Sequence, residues 1–347
     1  MKKTRIAAID IAKGIGIILI IIGHCVYFGG FAHNWIFTFH VPLFFILSGL
    51  FFRESDLKSI SIKKGTQLLR PYLVFVLIGF ALTLLIPQWR QKLTLIGILE
   101  DIFLAWPETV NVSSVWFLVC LFVTMLMLDI VLLVKRKNPV LSWIIFGAIV
   151  LFGFLFGQFC RSFSFISVVR MPLNMDCACV ALLFLGAGYF FKNQIFDVID
   201  SAEKHSPLPA LAVFILTGAL SVFFPLVNKR VNLHGLSYNN WILYILGALN
   251  GSVLVLSLSS LISRVSFLKK IFTWFGRNSL IIMGVQAIVV RLFLLFINLR
   301  TGNSYQLYYL PEKYIAADCI FSIAASALIV SLYKRIMKSV SSRDSSS

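Results

Sequence analysis

The stretch IAAIDIAKGIGIILIIIGHCVYF, Ile6 to Phe28, decides how the rest of the chain is read. It is apolar enough to cross a bilayer, yet it carries Asp10, Lys13 and His24. At about 100° per residue, His24 falls roughly 20° from Lys13 around the helix, and Asp10 about 40° from His24. The three side chains therefore share one face, while Ile15, Ile18, Leu19 and Ile22 cover much of the remainder. The rise from Lys13 to His24 is about 16 Å. Ionisable groups are costly in hydrocarbon and face a bundle interior or a wet cavity. This face, with an acid and a cation near one end and an imidazole near the other, is the first candidate site.

The 347-residue chain is 59% hydrophobic and 13% charged, against about 25% charged in soluble domains. Its mean hydropathy is +0.91. Apolar runs of bilayer-crossing length recur along it, whereas a β-barrel would show short alternating segments. The expected fold is all-α: a polytopic helical membrane protein of ten transmembrane helices with both termini cytoplasmic. The expected spans are 7–28, 36–52, 71–87, 113–134, 139–159, 172–191, 208–226, 241–261, 273–297 and 314–334. They make one transmembrane domain over 1–338, followed by a serine-rich, disordered polar tail over 339–347. No second soluble domain and no cleaved signal is expected.

Charge fixes the orientation. There are 31 basic and 14 acidic residues, a net charge of +17. With the N-terminus inside, 20 basic residues fall in inner segments and 7 in outer ones, as expected where basic residues collect on the cytoplasmic side. That accounts for the charge without nucleic acid, for which there is neither a zinc finger nor a basic stripe interleaved with aromatics. The segment from Lys92 to Trp106 is broken by Glu100 and Asp101 and closed by Pro107. It is too short to span and is expected as an outer interfacial or re-entrant helix. The six cysteines form no CxxC pair and read as small apolar side chains. No internal repeat is evident, which counts against a symmetric transporter.

His40 is expected four residues into the second span, at a depth similar to His24 and on a neighbouring helix. Two such imidazoles suit general-base chemistry, one taking the proton and the other orienting a partner. Asp10 and Lys13 read two ways, as part of that site or as an internal salt bridge, and Lys13 near the inner end also has room to snorkel. No metal is expected, because His33, Asp10 and the cysteines give no ligand spacing. A second cation set lies toward the inner face: Arg70 before Pro71-Tyr72, and Arg277-Asn278-Ser279. Guanidinium forks at an inner mouth suit a phosphate-bearing ligand, although Arg70 reads equally as a positive-inside flank. Gly14, Gly16, Gly23 and Ser48-Gly49 point to close helix contact. Asp176 is a candidate partner for Arg170.

Several motifs carry a resemblance: Asp10-Ile11-Ala12-Lys13-Gly14 followed by Gly23-His24, the run Phe39-His40-Val41-Pro42-Leu43-Phe44-Phe45-Ile46-Leu47-Ser48-Gly49, Arg70-Pro71-Tyr72, Trp116-Phe117-Leu118, and Gly276-Arg277-Asn278-Ser279-Leu280. In this combination the chain resembles the acyltransferase 3 family of integral membrane O-acyltransferases, and within it the fucose 4-O-acetylase-like members. The resemblance implies transfer of an acyl group, commonly acetyl from cytoplasmic acetyl-CoA, to a sugar hydroxyl. It implies His24 as the catalytic histidine and Lys13 as its paired basic residue; with such a donor, the inner cation set makes Arg70, Arg277 and Asn278 the expected acyl-CoA contacts. It also implies a multi-pass protein of the bacterial cytoplasmic membrane. The acceptor would be a surface polysaccharide or lipid-linked glycan, with a further copy of the chain or glycan-assembly machinery open as partners. One departure stands out: relatives often carry a histidine where this chain has Gln286. The rival class is a transporter or flippase, with Asp10, Lys13 and the histidines as a proton or anion pathway.

Overall fold

The fold was obtained as a computed structural model that describes residues 6–54, 57–91, 93–162, 170–229 and 231–344, without side chains at 57–61, 161–162 and 340–344. Lys2, Lys3, Arg5, Lys92 and Arg230 of the charge argument lie outside the described residues. The helices are α1 (Ala7–Cys25), α2 (Phe31–Gly49), α3 (Leu57–Leu85), α4 (Pro87–Arg90), α5 (Leu95–Leu104), α6 (Trp116–Lys137) and α7 (Pro139–Ser162). After them come α8 (Met175–Phe190), α9 (Lys192–Lys204), α10 (Leu208–Val227), α11 (Trp241–Ile262), α12 (Ser266–Arg277), α13 (Ser279–Thr301) and α14 (Glu312–Asp344). Among the described residues, ten helices are long and apolar enough to cross a membrane. The protein is an all-α, polytopic, multi-pass membrane protein.

Burial sorts these ten into two classes. In α3, α7, α10 and α14 only 22% of the apolar window is buried inside the protein, while the other six are more than half buried. Helices α1, α2, α6, α8, α11 and α13 thus form the interior, and the remaining four turn apolar faces to lipid. Lipid removes the usual hydrophobic drive between helices, so close packing takes its place. Glycine does this at α1 and α12. A Cβ on Gly276 would stand 1.7 Å from the Asp10 carbonyl oxygen, and one on Gly14 would stand 2.1 Å from that of Phe272. The two backbones touch, and no other residue type fits.

Most sequence expectations hold within a few residues. Helix α5 is the short helix expected over 92–106, with the Thr94 hydroxyl accepting from the Gly97 amide at 3.0 Å to cap it; inner and outer denote the side to which the charge bias assigns each end. Four details differ. Helix α2 begins at Phe31, not 36. The expected span 273–297 starts inside a separate helix, α12, and the membrane-crossing helix begins only at Ser279. Segment 192–204 is helical as well. Helix α14 runs to Asp344, through the first part of the segment expected as a disordered tail. Both α9 and α12 lie on the inner side with mixed apolar and charged sequence, so a hydropathy window passes over them.

Gly276→Ala is expected to destabilise the protein by about 1–3 kcal/mol, the range for forced overpacking. The check is a fall of several degrees in the thermal midpoint of detergent-solubilised protein. An unchanged midpoint refutes the close α1–α12 contact.

Candidate active site

The C-terminal end of α1 opens into a cavity of about 410 Å³ on the outer side, within the usual range for small-ligand sites. His24, His40, Phe37 and Phe44 line it from α1 and α2, Trp116 and Phe117 from α6, and Met283 and Arg291 from α13. Outer loops complete it with Trp106, Glu108, Ser113, Ser114, Asn232, Leu233, His234, Leu307 and Tyr308.

His24 Nδ1 and the Tyr308 hydroxyl form a hydrogen bond of 2.5 Å. Tyr308 sits on the loop between α13 and α14 with φ at +66°, a conformation that is strained for a bulky residue and needs external support. The support is on hand: its carbonyl accepts from the Phe28 amide at 3.0 Å, and the buried His33 ring stands edge-on to it at 5.9 Å. Burial raises the Tyr308 pKa well above the ordinary tyrosine value, so the phenol stays protonated.

His40 is buried and reaches the same cavity. Its Nδ1 lies 2.8 Å from the Ile36 carbonyl oxygen. A carbonyl only accepts, so Nδ1 carries the hydrogen and, in the neutral ring, Nε2 carries the lone pair. The two histidines are not at one depth as expected, because α2 starts five residues early and puts His40 near its middle. Phe37 stands between them, 6.3 Å from His24 and 4.7 Å from His40 by ring centroids.

The outer wall is built by hydrogen bonds within loops. The Asp101 carboxylate accepts from the amides of Glu108 (3.2 Å) and Thr109 (3.0 Å), fixing the turn that presents Trp106 and Glu108. Burial pushes that carboxyl up to about 6, and the loop amides pull against the shift. Arg291 Nη2 donates to Glu108 (2.8 Å) and to the Ser113 hydroxyl (3.4 Å). The Ser114 hydroxyl donates to the Met283 carbonyl at 2.8 Å and ties α13 to the start of α6. Arg170 pairs with Asp176 at 2.7 Å, as anticipated, and its guanidinium lies 5.2 Å over the Trp106 ring.

The inner end of α1 meets a different site. Asp10 is buried and accepts from Arg277 Nε at 3.2 Å. Arg277 and Asn278 line a pocket of about 520 Å³ with Lys269, Lys270, Thr273, Trp274 and Lys334. Asn278 Nδ2 donates to the Trp274 carbonyl at 2.6 Å, while its buried Oδ1 has no partner among the described residues. Arg277 and Asn278 are therefore brought together as expected. Arg70 is not part of this group: it lies exposed on α3 and lines neither cavity. Lys13 also lines neither; its ammonium sits 5.4 Å over the Phe51 ring at the inner end of α2. One face of α1 thus serves two sites, not one. Gln286 is fully buried away from both, its amide unpartnered among the described residues. Among those residues no three His, Cys, Asp or Glu side chains group as metal ligands.

Residues 6–334 match the sequence profile of a family described as Acyltransferase domain. The chain belongs to the acyltransferase 3 family. It is a membrane acyltransferase, which by its nature works in a lipid bilayer on an acyl donor and an acceptor. Comparison with curated proteins and with solved structures gives no match. In this acyltransferase the sequence reading missed Tyr308, His234 and the Arg291–Glu108 pair. Arg291 offered a signal, as a cation inside an apolar span. Tyr308 and His234 sit in loops that carry no periodicity.

Tyr308→Phe removes the partner of His24 Nδ1 but keeps the ring. A lost hydrogen bond of about 1 kcal/mol corresponds to roughly a fivefold fall in kcat. Steady-state acyl-transfer kinetics check this; an unchanged kcat refutes a positioning role for Tyr308.

Proposed function

We propose that the protein transfers an acyl group, most simply acetyl, from cytoplasmic acyl-CoA to a hydroxyl of a cell-surface or lipid-linked saccharide at the bacterial cytoplasmic membrane. One observation carries this reading. Helix α1 joins a cationic pocket at its inner end, through Asp10 and Arg277, to a histidine-lined cavity at its outer end. An acyl-CoA has the matching polarity: a phosphate-bearing nucleotide on a long arm that ends in a thioester.

The nucleotide end is assigned to Lys269, Lys270, Arg277 and Lys334, where clustered cations suit phosphate oxygens. Trp274 offers a ring for stacking, and Asn278 Oδ1 an unpaired acceptor. From Asp10 to His24 the helix rises about 21 Å, and the arm has to cover that distance. Arg70 and Lys13 stand outside this route, so contact of either with donor needs a movement of the protein.

At the outer end His24 acts as base or acyl relay. For Nε2 to act, Nδ1 carries the hydrogen and donates it to the Tyr308 oxygen, which fixes the ring's orientation. His40, with its lone pair on Nε2, orients the thioester or the acceptor from the second helix. Mixed aromatic and polar lining suits a saccharide, whose ring has apolar faces and a hydroxyl rim.

Mass spectrometry of surface glycans, before and after mild alkali, tests the reading in cells lacking the protein and in complemented cells. An alkali-labile acetyl ester is expected to vanish in the deletion and to return with wild type but not with His24→Ala. With purified protein, His24→Ala is expected to lower acetyl transfer by on the order of 10²–10⁴-fold. Absence of any thioester cleavage by wild type favours transport instead. Joint replacement of Lys269 and Lys270 by alanine is expected to raise KM for acetyl-CoA roughly tenfold, about 1.4 kcal/mol, with kcat little changed. A KM at the wild-type value moves the donor site elsewhere.

A further inference from the structure

The outer cavity holds a third imidazole that the roles above leave unused. His234 stands on the loop between α10 and α11. Asn228 closes the stem of that loop: its Nδ2 donates to the carbonyls of Tyr238 (3.2 Å) and Asn240 (3.1 Å), and its Oδ1 accepts from the Asn240 amide (2.9 Å). Further out, Asn232 and Ser237 exchange backbone hydrogen bonds of 2.7 and 2.9 Å. The Cys177 thiol donates to the carbonyls of Leu233 (3.4 Å) and His234 (3.7 Å), which anchors the tip to α8.

The ring itself is clamped by two indoles. It lies parallel to Trp116 at 4.3 Å, with an interplanar angle of 17°, and nearly perpendicular to Trp106 at 4.2 Å. Trp106 is backed in turn by Arg170, which Asp176 holds. An imidazole restrained on both sides has one orientation to offer. Yet it makes no side-chain hydrogen bond among the described residues, and its Nε2 is buried without a partner. Nε2 is enclosed, so Nδ1 is the nitrogen that a ligand in the cavity reaches. Burial, with the nearby Arg170 charge adding to it, keeps the ring neutral and able to accept.

We propose that His234 is the base that activates the acceptor, receiving the proton of its hydroxyl as the oxygen attacks the acyl carbon. The inference rests on the acyl-transfer reading above. The hydroxyl oxygen bonds to the acyl carbon. The bond from that carbon to its carrier, the thioester sulfur or a His24 nitrogen, breaks with the electron pair leaving on the carrier. The proton passes from His234 to that carrier or to water. His234 thereby takes the base role that the reading above also left open to His24, which leaves His24 to carry or hold the acyl group, while His234, on an outer loop, faces an acceptor that arrives from outside.

The test uses purified full-length protein, acetyl-CoA and three nucleophiles: methyl glucoside, water and hydroxylamine. Hydroxylamine attacks as a free amine and needs no base. His234→Phe keeps the stack between the indoles, and His234→Gln keeps a polar side chain. Both are expected to lose transfer to glucoside and water by on the order of 10²-fold, while acetohydroxamate formation stays within about threefold of wild type. Acetohydroxamate is counted as the excess over the protein-free reaction, since hydroxylamine cleaves thioesters unaided, and retention of that excess reports an intact donor site and fold. An equal fall for all three nucleophiles, or no fall for any, overturns the assignment. A wild-type protein that cleaves no thioester with any of the three refutes the acyl-transfer reading itself, a failure seen without any variant.

Discussion

The enclosure of α1 is the constraint on which the rest depends. Asp10, Lys13 and His24 stand on a helix that crosses hydrocarbon, where exposed ionisable groups are not tolerated. Five helices, α2, α11, α12, α13 and α14, close around it. Backbone contact at Gly14 and Gly276 brings α12 near enough for Arg277 to reach Asp10. The same contact holds the lysines of α12 beside Arg277 at the inner face. At the other end, the strained Tyr308 loop meets His24 and is bound to the connector that follows α1. Both sites are therefore consequences of how one helix is covered.

Much of this was legible in the chain. The apolar runs gave the ten spans, and the ionisable residues of α1 marked the interior helix. Arg277-Asn278 marked the inner pocket. What escaped had specific causes. His33 and Asn34 interrupt the apolar pattern at the start of α2, which hid its first turns and misplaced His40. Helices α9 and α12 mix charged with apolar residues, so their hydropathy is low although their helical period is clear. Arg70 precedes Pro71 within α3, a lipid-facing helix, and lies exposed there, away from both cavities. His234, Tyr308 and Glu108 meet only because loops distant in sequence converge, and no local pattern reports that.

The outer loops owe their shape to short-range hydrogen bonds, each from one polar side chain to several backbone groups. Asn228, Asp101 and Asn298 each close a turn in this way. Ala105, Asn111, Leu236 and Tyr308 adopt left-handed backbone angles in or beside these turns. Such conformations persist only where the surroundings over-determine them. They mark the outer surface as a rigid, fitted wall, and the inner pocket as a simpler cluster of cations on two helices.

That contrast bears on how relatives of this chain diverge. The inner pocket draws its cations from α12 and α14, and α12 is locked to α1 by backbone contact, so change there disturbs the bundle. The outer wall is assembled from separate loops, each closed at its own stem. A loop can be exchanged as a cassette while the bundle stays as it is. The lining of the outer cavity is thus free to change, and that of the inner pocket is held by the bundle.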